Sequence, residues 1–249
     1  MKNKIKSPLI LLAVGILIIG ASTAGATRAA MVYQSKIERV NFSTAELSID
    51  LMEEVDGEYQ SIDEETPLSF SAVANDTSFK IGKKYAENVR VVNNSNQTTG
   101  YSEYVRVVVR KSWFNDGKQT NLDPELIKIY VADGWYLNED ESTKEQEVYY
   151  LTSPLGCGNG VDFITGIKID NKITKYVEVV PVDADSPEIA SYVENIYLYN
   201  EEKVYIELQA DAVQTHNGAD AIYAAWGVRA TCDAVDDGNI VEVNGVSAQ

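Results

Sequence analysis

The sequence predicts an all-β protein, a jelly-roll-like two-sheet β-sandwich carrying a few short helices. Tyr dominates the aromatic content, 15 against 5 Phe, and runs of β-branched residues recur along the chain, a composition suited to pleated, half-buried surfaces. Apolar residues alternate with polar ones at a period of two in stretch after stretch, while helical spacing is scarce. Turn clusters such as "FNDGKQ" and "LGCGNG" separate those stretches. About nine short strands punctuated in this way pack as two face-to-face sheets. No fixed internal repeat is present.

The chain divides into residues 1–30, a domain over 31–232 and an acidic tail over 233–249. Residues 1–30 open with Lys2, Lys4 and Lys6, continue as an apolar stretch from Leu9 to Ile19, and end in small residues from Gly20 to Ala30. This is the pattern of a secretory signal peptide, because the apolar stretch is far short of the roughly 20 residues that span a bilayer. An uncleaved anchor is the alternative. Two cleavage sites are offered, after Ala26 in Ala24-Gly25-Ala26 and after Ala30 in Thr27-Arg28-Ala29-Ala30.

Residues 31–51 contain Ala45, Leu47, Ile49 and Leu51 alternating with Glu46, Ser48 and Asp50, which predicts a strand with one buried face. Met31 to Phe42, ahead of it, is irregular and lies loose until something pairs with it. Asp56 to Ile81 is acidic and turn-rich, mostly loop, with one short strand near Leu68 to Val73. "ENVRVVNNSNQTTG" and "YSEYVRVVVRKSW" read as a hairpin with a long connection. In its second arm Val105, Val107 and Val109 share one face; Arg106 and Arg110 share the other and suit ion pairs in so acidic a chain. Further strands are predicted at Leu126 to Val131, Glu147 to Leu151, Val161 to Ile169 and Ile173 to Val182. "DADSPEIASYVEN" reads as a short helix, with Ser186 able to cap it and Pro187 at its first position. In "KVYIELQADAV" Val204, Ile206, Leu208, Ala210 and Ala212 alternate with polar residues, the clearest strand in the chain. The tail from Cys232 to Gln249 is expected to be poorly ordered or a marginal edge strand.

The lone histidine, His216, lies in "ADAVQTHNGADAIYAAW". A metalloprotease helix needs two histidines four apart with a glutamate between them, and a nucleophilic triad needs a recognisable Ser or Cys; neither pattern is present. The architectural reading accounts for more residues. Asn217 serves as helix N-cap, Asp220 places negative charge in the first turn, and Gly227 stands where a helix stops. Ile222 and Trp226, four apart, then pack that helix on the sandwich, and His216 is a hydrogen-bonded corner residue.

No cofactor is expected. "DADSPE", "AVDDGN" and "NEDESTKE" could ligate Ca²⁺, yet none has the alternating ligands and central Gly of an EF-hand loop. Cys157 and Cys232, 75 positions apart, make no zinc site; a disulfide and two free thiols both remain open. Without residues 1–30, which hold four basic and no acidic side chains, the net charge moves from −17 to −21. Such a chain repels nucleic acid and anionic lipid, and salt would lower the repulsion between identical copies.

Taken together, "ASTAGATRAAMVYQS" and "LQADAVQTHNGADAIYAAWG" resemble the camelysin/TasA family of Gram-positive bacteria. "FSTAELSIDL", "IGKKYAENVRVVNN" and "YVRVVVRKSW" fall in the family's order between them. The resemblance implies a jelly roll, export to the extracellular matrix or cell surface, and processing by a SipW-type signal peptidase. It favours cleavage between Ala30 and Met31. It also implies self-association into biofilm fibres by donor-strand exchange, with an accessory matrix or anchor protein as a further partner. Met31 to Phe42 is the donor on this reading, with Val32, Ile37, Val40 and Phe42 as anchors. Some members carry a metallopeptidase label, and a monomeric surface-binding module is a third class; the sequence has no metal-ligand motif for the former.

Overall fold

The computed structural model describes residues 47–62, 68–70, 73, 79–175, 177–181, 193–199 and 202–248. The expected signal peptide, the expected cleavage site between Ala30 and Met31 and the expected donor segment with Val32, Ile37, Val40 and Phe42 lie outside the described residues. In chain order the strands are β1 (Ile49–Val55), β2 (Glu58–Ser61), β3 (Lys84–Tyr85), β4 (Val89–Asn93), β5 (Glu103–Phe114), β6 (Lys118–Gln119), β7 (Ile127–Val131) and β8 (Trp135–Leu137). They continue with β9 (Gln146–Leu151), β10 (Gly160–Ile169), β11 (Val177–Pro181), β12 (Val193–Tyr197) and β13 (Lys203–Gln214). Helix α1 (Gly218–Trp226) and strands β14 (Ala230–Cys232), β15 (Ile240–Val243) and β16 (Val246–Ser247) complete the chain.

The first sheet runs β2-β1-β4-β10, with β3 and β7 also paired to β10; the second runs β13-β5-β9-β8, with β6 paired to one end of β5. All the pairings are antiparallel. β4 with β10 and β5 with β9 are nested pairs, as in a jelly roll, so the fold is the two-sheet β-sandwich that the alternation predicts. β11 and β12 form a separate hairpin, and β14, β15 and β16 a small third sheet.

Period-two patterning places the core. Val105, Val107 and Val109 on β5 and Ile206, Leu208, Ala210 and Ala212 on β13 face Ile49, Leu51, Val89, Val91, Phe163 and Ile164 of the first sheet. Each such Val, Leu or Ile contributes roughly 1.5 to 3 kcal/mol by leaving water. Glu53, Glu103 and Lys111 continue these apolar faces in phase and are buried, so each needs a partner. The Glu53 carboxylate accepts the backbone N–H groups of Ser69 at 2.8 Å and Phe70 at 2.7 Å. Lys111 donates to the Ile127 carbonyl at 3.0 Å and pairs with Glu147.

Several expectations are corrected. β4 and β5 are not a hairpin: β4 sits in the first sheet and β5 in the second, so their connection turns the corner between sheets. The cause is Asn93, buried at the corner, whose side chain donates to the Tyr101 and Leu155 carbonyls while its Oδ1 accepts the Ser95 N–H, which diverts the chain. Residues 68–70 are not strand, because Glu53 captures the amides of Ser69 and Phe70 and Phe70 adopts φ +46°. The acidic stretch read as loop holds β2, joined to β1 through Asp56 and Gly57 at φ 54° and 87°, the positive values of a tight hairpin turn. Asn171–Lys175 is a 3-10 turn, so the strand expected from Ile173 starts at Val177. The expected helix over 183–195 falls mostly outside the described residues, and its end, from Val193, is strand.

Of the two expectations for the tail, strand is the one found: residues 233–248 are described and hold β15 and β16. β15 and β16 pair with each other, β15 pairs with β14, and Ile240, Val243 and Ala248 are buried. With Ile222 of α1 and Val228 they form a second core against Tyr104, Val108, Val148, Tyr150 and Val213 on the outer side of the second sheet.

Candidate functional site

β13 leads into α1 through Thr215, His216 and Asn217. Thr215 is buried and its hydroxyl bonds the Asp237 carboxylate. The exposed His216 ring sits with Nδ1 2.8 Å from Asp236 Oδ1, and the same oxygen accepts the Asn217 N–H at 3.0 Å. Asn217 occupies the N-cap position in the left-handed conformation, φ 49°, and its side chain makes no capping bond. The expected cap is therefore corrected: Asp236, from the C-terminal segment, takes the free amide, and Asn217 serves for its tolerance of positive φ. Asp220 lies in the first turn and Gly227, φ 72°, closes the helix.

Gly218 is required by close approach. A Cβ there would lie 2.2 Å from Cε2 of Tyr104, a fully buried ring whose hydroxyl donates to the Gly238 carbonyl at 2.6 Å. At the other end of α1 the Trp226 ring packs 5.5 Å from that of Tyr150, with the Arg106 guanidinium 5.2 Å from its centroid. Arg106 also binds Asp211 through Nη2 at 2.6 Å and Nε at 3.1 Å, and Arg110 pairs with Glu207 at 3.0 Å.

Between β13 and α1 lies a cleft of about 520 Å³. Its walls include Asp211, Ala212, Val213 and Gln214 on one side and Ala221, Ala224 and Ala225 on the other, and Leu47 also lines it. Four consecutive residues of an alternating strand line one cleft only when it opens onto the strand's edge. β13 is the outermost strand of its sheet among the described residues. It is 12 residues long, and alternate residues direct backbone N–H and C=O away from β5. The other sheet margins carry shorter strands, β2, β3, β7 and β8 at four, two, five and three residues.

Beside this edge, Glu103 is fully buried at the sheet corner. Its Oε1 accepts the Ser48 N–H at 3.0 Å and the Ser95 hydroxyl at 2.9 Å, while Oε2 has no partner among the described residues. Burial raises its pKa from 4.5 to about 7, against the lowering effect of those two hydrogen bonds. The start of β1 is thus held by a carboxyl group that ionises near neutrality.

The structure brings His216, Asn217, Asp220 and Trp226 together along one strand-to-helix corner beside the cleft. Sequence reasoning marked Asp236 and Asp237 only as candidate Ca²⁺ ligands within "AVDDGN" and missed their bonds to Thr215, His216 and Asn217 at the corner. It also missed Glu103, for which a signal existed: a carboxylate in phase with Val105 and Val107. Cys157 and Cys232 are free thiols. Among the described residues no group of three or more His, Cys, Asp or Glu side chains converges as a metal cluster. No helix of the described residues is long and apolar enough to cross a membrane. Comparison with family models, curated proteins and solved structures yields no match to the chain.

Proposed function

We propose that the chain is a secreted structural protein that assembles into extracellular fibres by strand exchange, the N-terminal segment of one copy adding to the sheet of the next. The observation that carries this reading is the edge of β13. A long flat edge strand with alternating side chains is a template for a further strand, and proteins that do not use one shorten it, bulge it or cover it. Main-chain hydrogen bonds supply affinity in such an addition, and alternate side chains supply specificity. The donor is residues 31–42, with Val32, Ile37, Val40 and Phe42 as anchors. The contact is head-to-tail, so it need not close into a ring and can propagate as a filament. Processing between Ala30 and Met31 by a SipW-type peptidase frees the donor, and the resemblance of the two ends of the sequence to the camelysin/TasA family supports the same assignment.

Deleting residues 31–42 tests the reading. The truncated protein is expected to keep its β-sheet circular dichroism and to form no fibres by electron microscopy under conditions where the processed parent does. Fibres from the truncated chain would refute the donor role.

A further inference from the structure

We infer that the outer face of the first sheet, around Lys84, Lys128 and Lys168, is a binding strip for a flexible linear phosphate polymer, one carrying an anionic group at each repeat. Register places the three lysines side by side. Lys168 on β10 stands directly opposite both Lys84 on β3 and Lys128 on β7. Their chain neighbours Tyr85, Ile127, Ile167 and Ile169 are buried, so alternation turns the lysines to the outer face, where Lys84 and Lys128 are exposed.

Like charges directly opposite one another destabilise a sheet, whereas opposite charges support it. Elsewhere the two sheets use the favourable arrangement. Arg90 meets Asp162, Arg106 meets Asp211 and Arg110 meets Glu207, each pair directly opposite across two strands and joined by a salt bridge. Lys84, Lys128 and Lys168 form no ion pair among the described residues, in a chain with 38 acidic side chains. The Lys84 ammonium instead lies 4.1 Å from the centroid of the Tyr130 ring. Asp170 is the carboxylate these lysines act on: the Lys172 backbone N–H, and then the charges of Lys172, Lys168 and Lys128, hold its pKa below the usual value. It offsets only part of their charge.

The shape of the strip selects the ligand. Strands about 4.8 Å apart set the three ammonium groups along a line about 10 Å long, which suits successive charges of a chain and not one small anion. The cations are all Lys, which binds phosphate as a point charge; the two-pronged grip that Arg106 takes on Asp211 is of the kind that selects carboxylates. The net negative charge of the protein opposes such a polymer at a distance, yet at 0.15 M salt screening confines that repulsion to about 8 Å.

The strip is independent of strand exchange and is tested on the unassembled protein. Fluorescence anisotropy of a labelled glycerol-phosphodiester oligomer, titrated with the processed chain, is expected to show binding that weakens about twentyfold from 0.1 to 0.4 M NaCl, the slope of three phosphate contacts. Lys128→Gln should lower that slope by roughly 0.7 to 1. The triple change Lys84→Gln, Lys128→Gln and Lys168→Gln should abolish binding while the thermal midpoint stays at or above the parent's, because repulsion is relieved. Lys118→Gln, which removes the partner of Glu145 in the second sheet, should leave binding unchanged. No binding by the parent at 0.1 M NaCl, a slope that Lys128→Gln leaves intact, binding that survives the triple change, or tighter binding of polyglutamate of equal charge would each overturn the proposal.

Discussion

Replacing Glu103 by Gln removes a charge and keeps the shape of the side chain. The amide oxygen can still accept from Ser48 and Ser95, and the NH₂ group takes the place of the partnerless oxygen. In the parent, the folded state holds this proton up to about pH 7, whereas an ordinary glutamate releases it near 4.5. Its folded pKa lies above the unfolded one, so folding binds a proton. The stabilisation is fully present below pH 4.5, declines as pH rises, and is gone above about 7. At roughly 1.4 kcal/mol for each pH unit, the ionised carboxylate costs the fold about 3 kcal/mol at pH 8 relative to pH 4. Urea unfolding of both proteins at pH 5 and pH 8 isolates this, because the general repulsion of an acidic chain affects both alike. Glu103→Gln should gain about 2 to 3 kcal/mol on the parent between the two conditions. A parent-minus-variant difference that does not move with pH would refute the assignment of a neutral buried acid.

Gly218→Ala forces a methyl group to within 2.2 Å of the Tyr104 ring; a thermal melt should show a loss of about 1 to 3 kcal/mol, the usual cost of overpacking, and an unchanged melt would mean that α1 is free to shift. Trp226→Ala removes the ring between Tyr150 and Arg106 and should cost about 2 kcal/mol in urea unfolding, less than a fully buried Trp because this one is half-buried. Under the proposed assembly, fibre growth followed by light scattering should accelerate from 0.01 M to 0.15 M NaCl, as screening shortens from about 30 Å to about 8 Å between copies whose charge would be −21 without residues 1–30; slowing with salt would argue against contact between like-charged subunits.

Strand existence and phase were legible in the sequence wherever alternation was long. Val105, Val107 and Val109, and Ile206 through Ala212, face the core that their spacing demands. Pairing was not legible, because a polar connection such as residues 94–102 has the same composition whether it folds back within one sheet or carries the chain to the other. What decides is Asn93, and its partners Tyr101 and Leu155 lie 8 and 62 residues away. The Asp56-Gly57 turn was readable and was outweighed by the acidity around it. At the corner, Asn217 and Gly227 mark the ends of the helix correctly in position, but the group that satisfies the first amide comes from Asp236, 19 residues on. The tail misled for a related reason: its few apolar residues look insufficient until the outer surface of a sheet supplies the other half of their burial.

Tyr104 carries a consequence for the order of events in the cell. Its ring meets Gly218, its hydroxyl meets Gly238, and its strand is hydrogen-bonded to a segment about a hundred positions later. A nascent polypeptide emerging N-terminus first cannot complete either arrangement until its last few dozen residues are available, since distant contacts must wait for loop closure. Maturation is deferred to the end of synthesis, so the N-terminal half of the sandwich stays incomplete while the rest of the chain is being made.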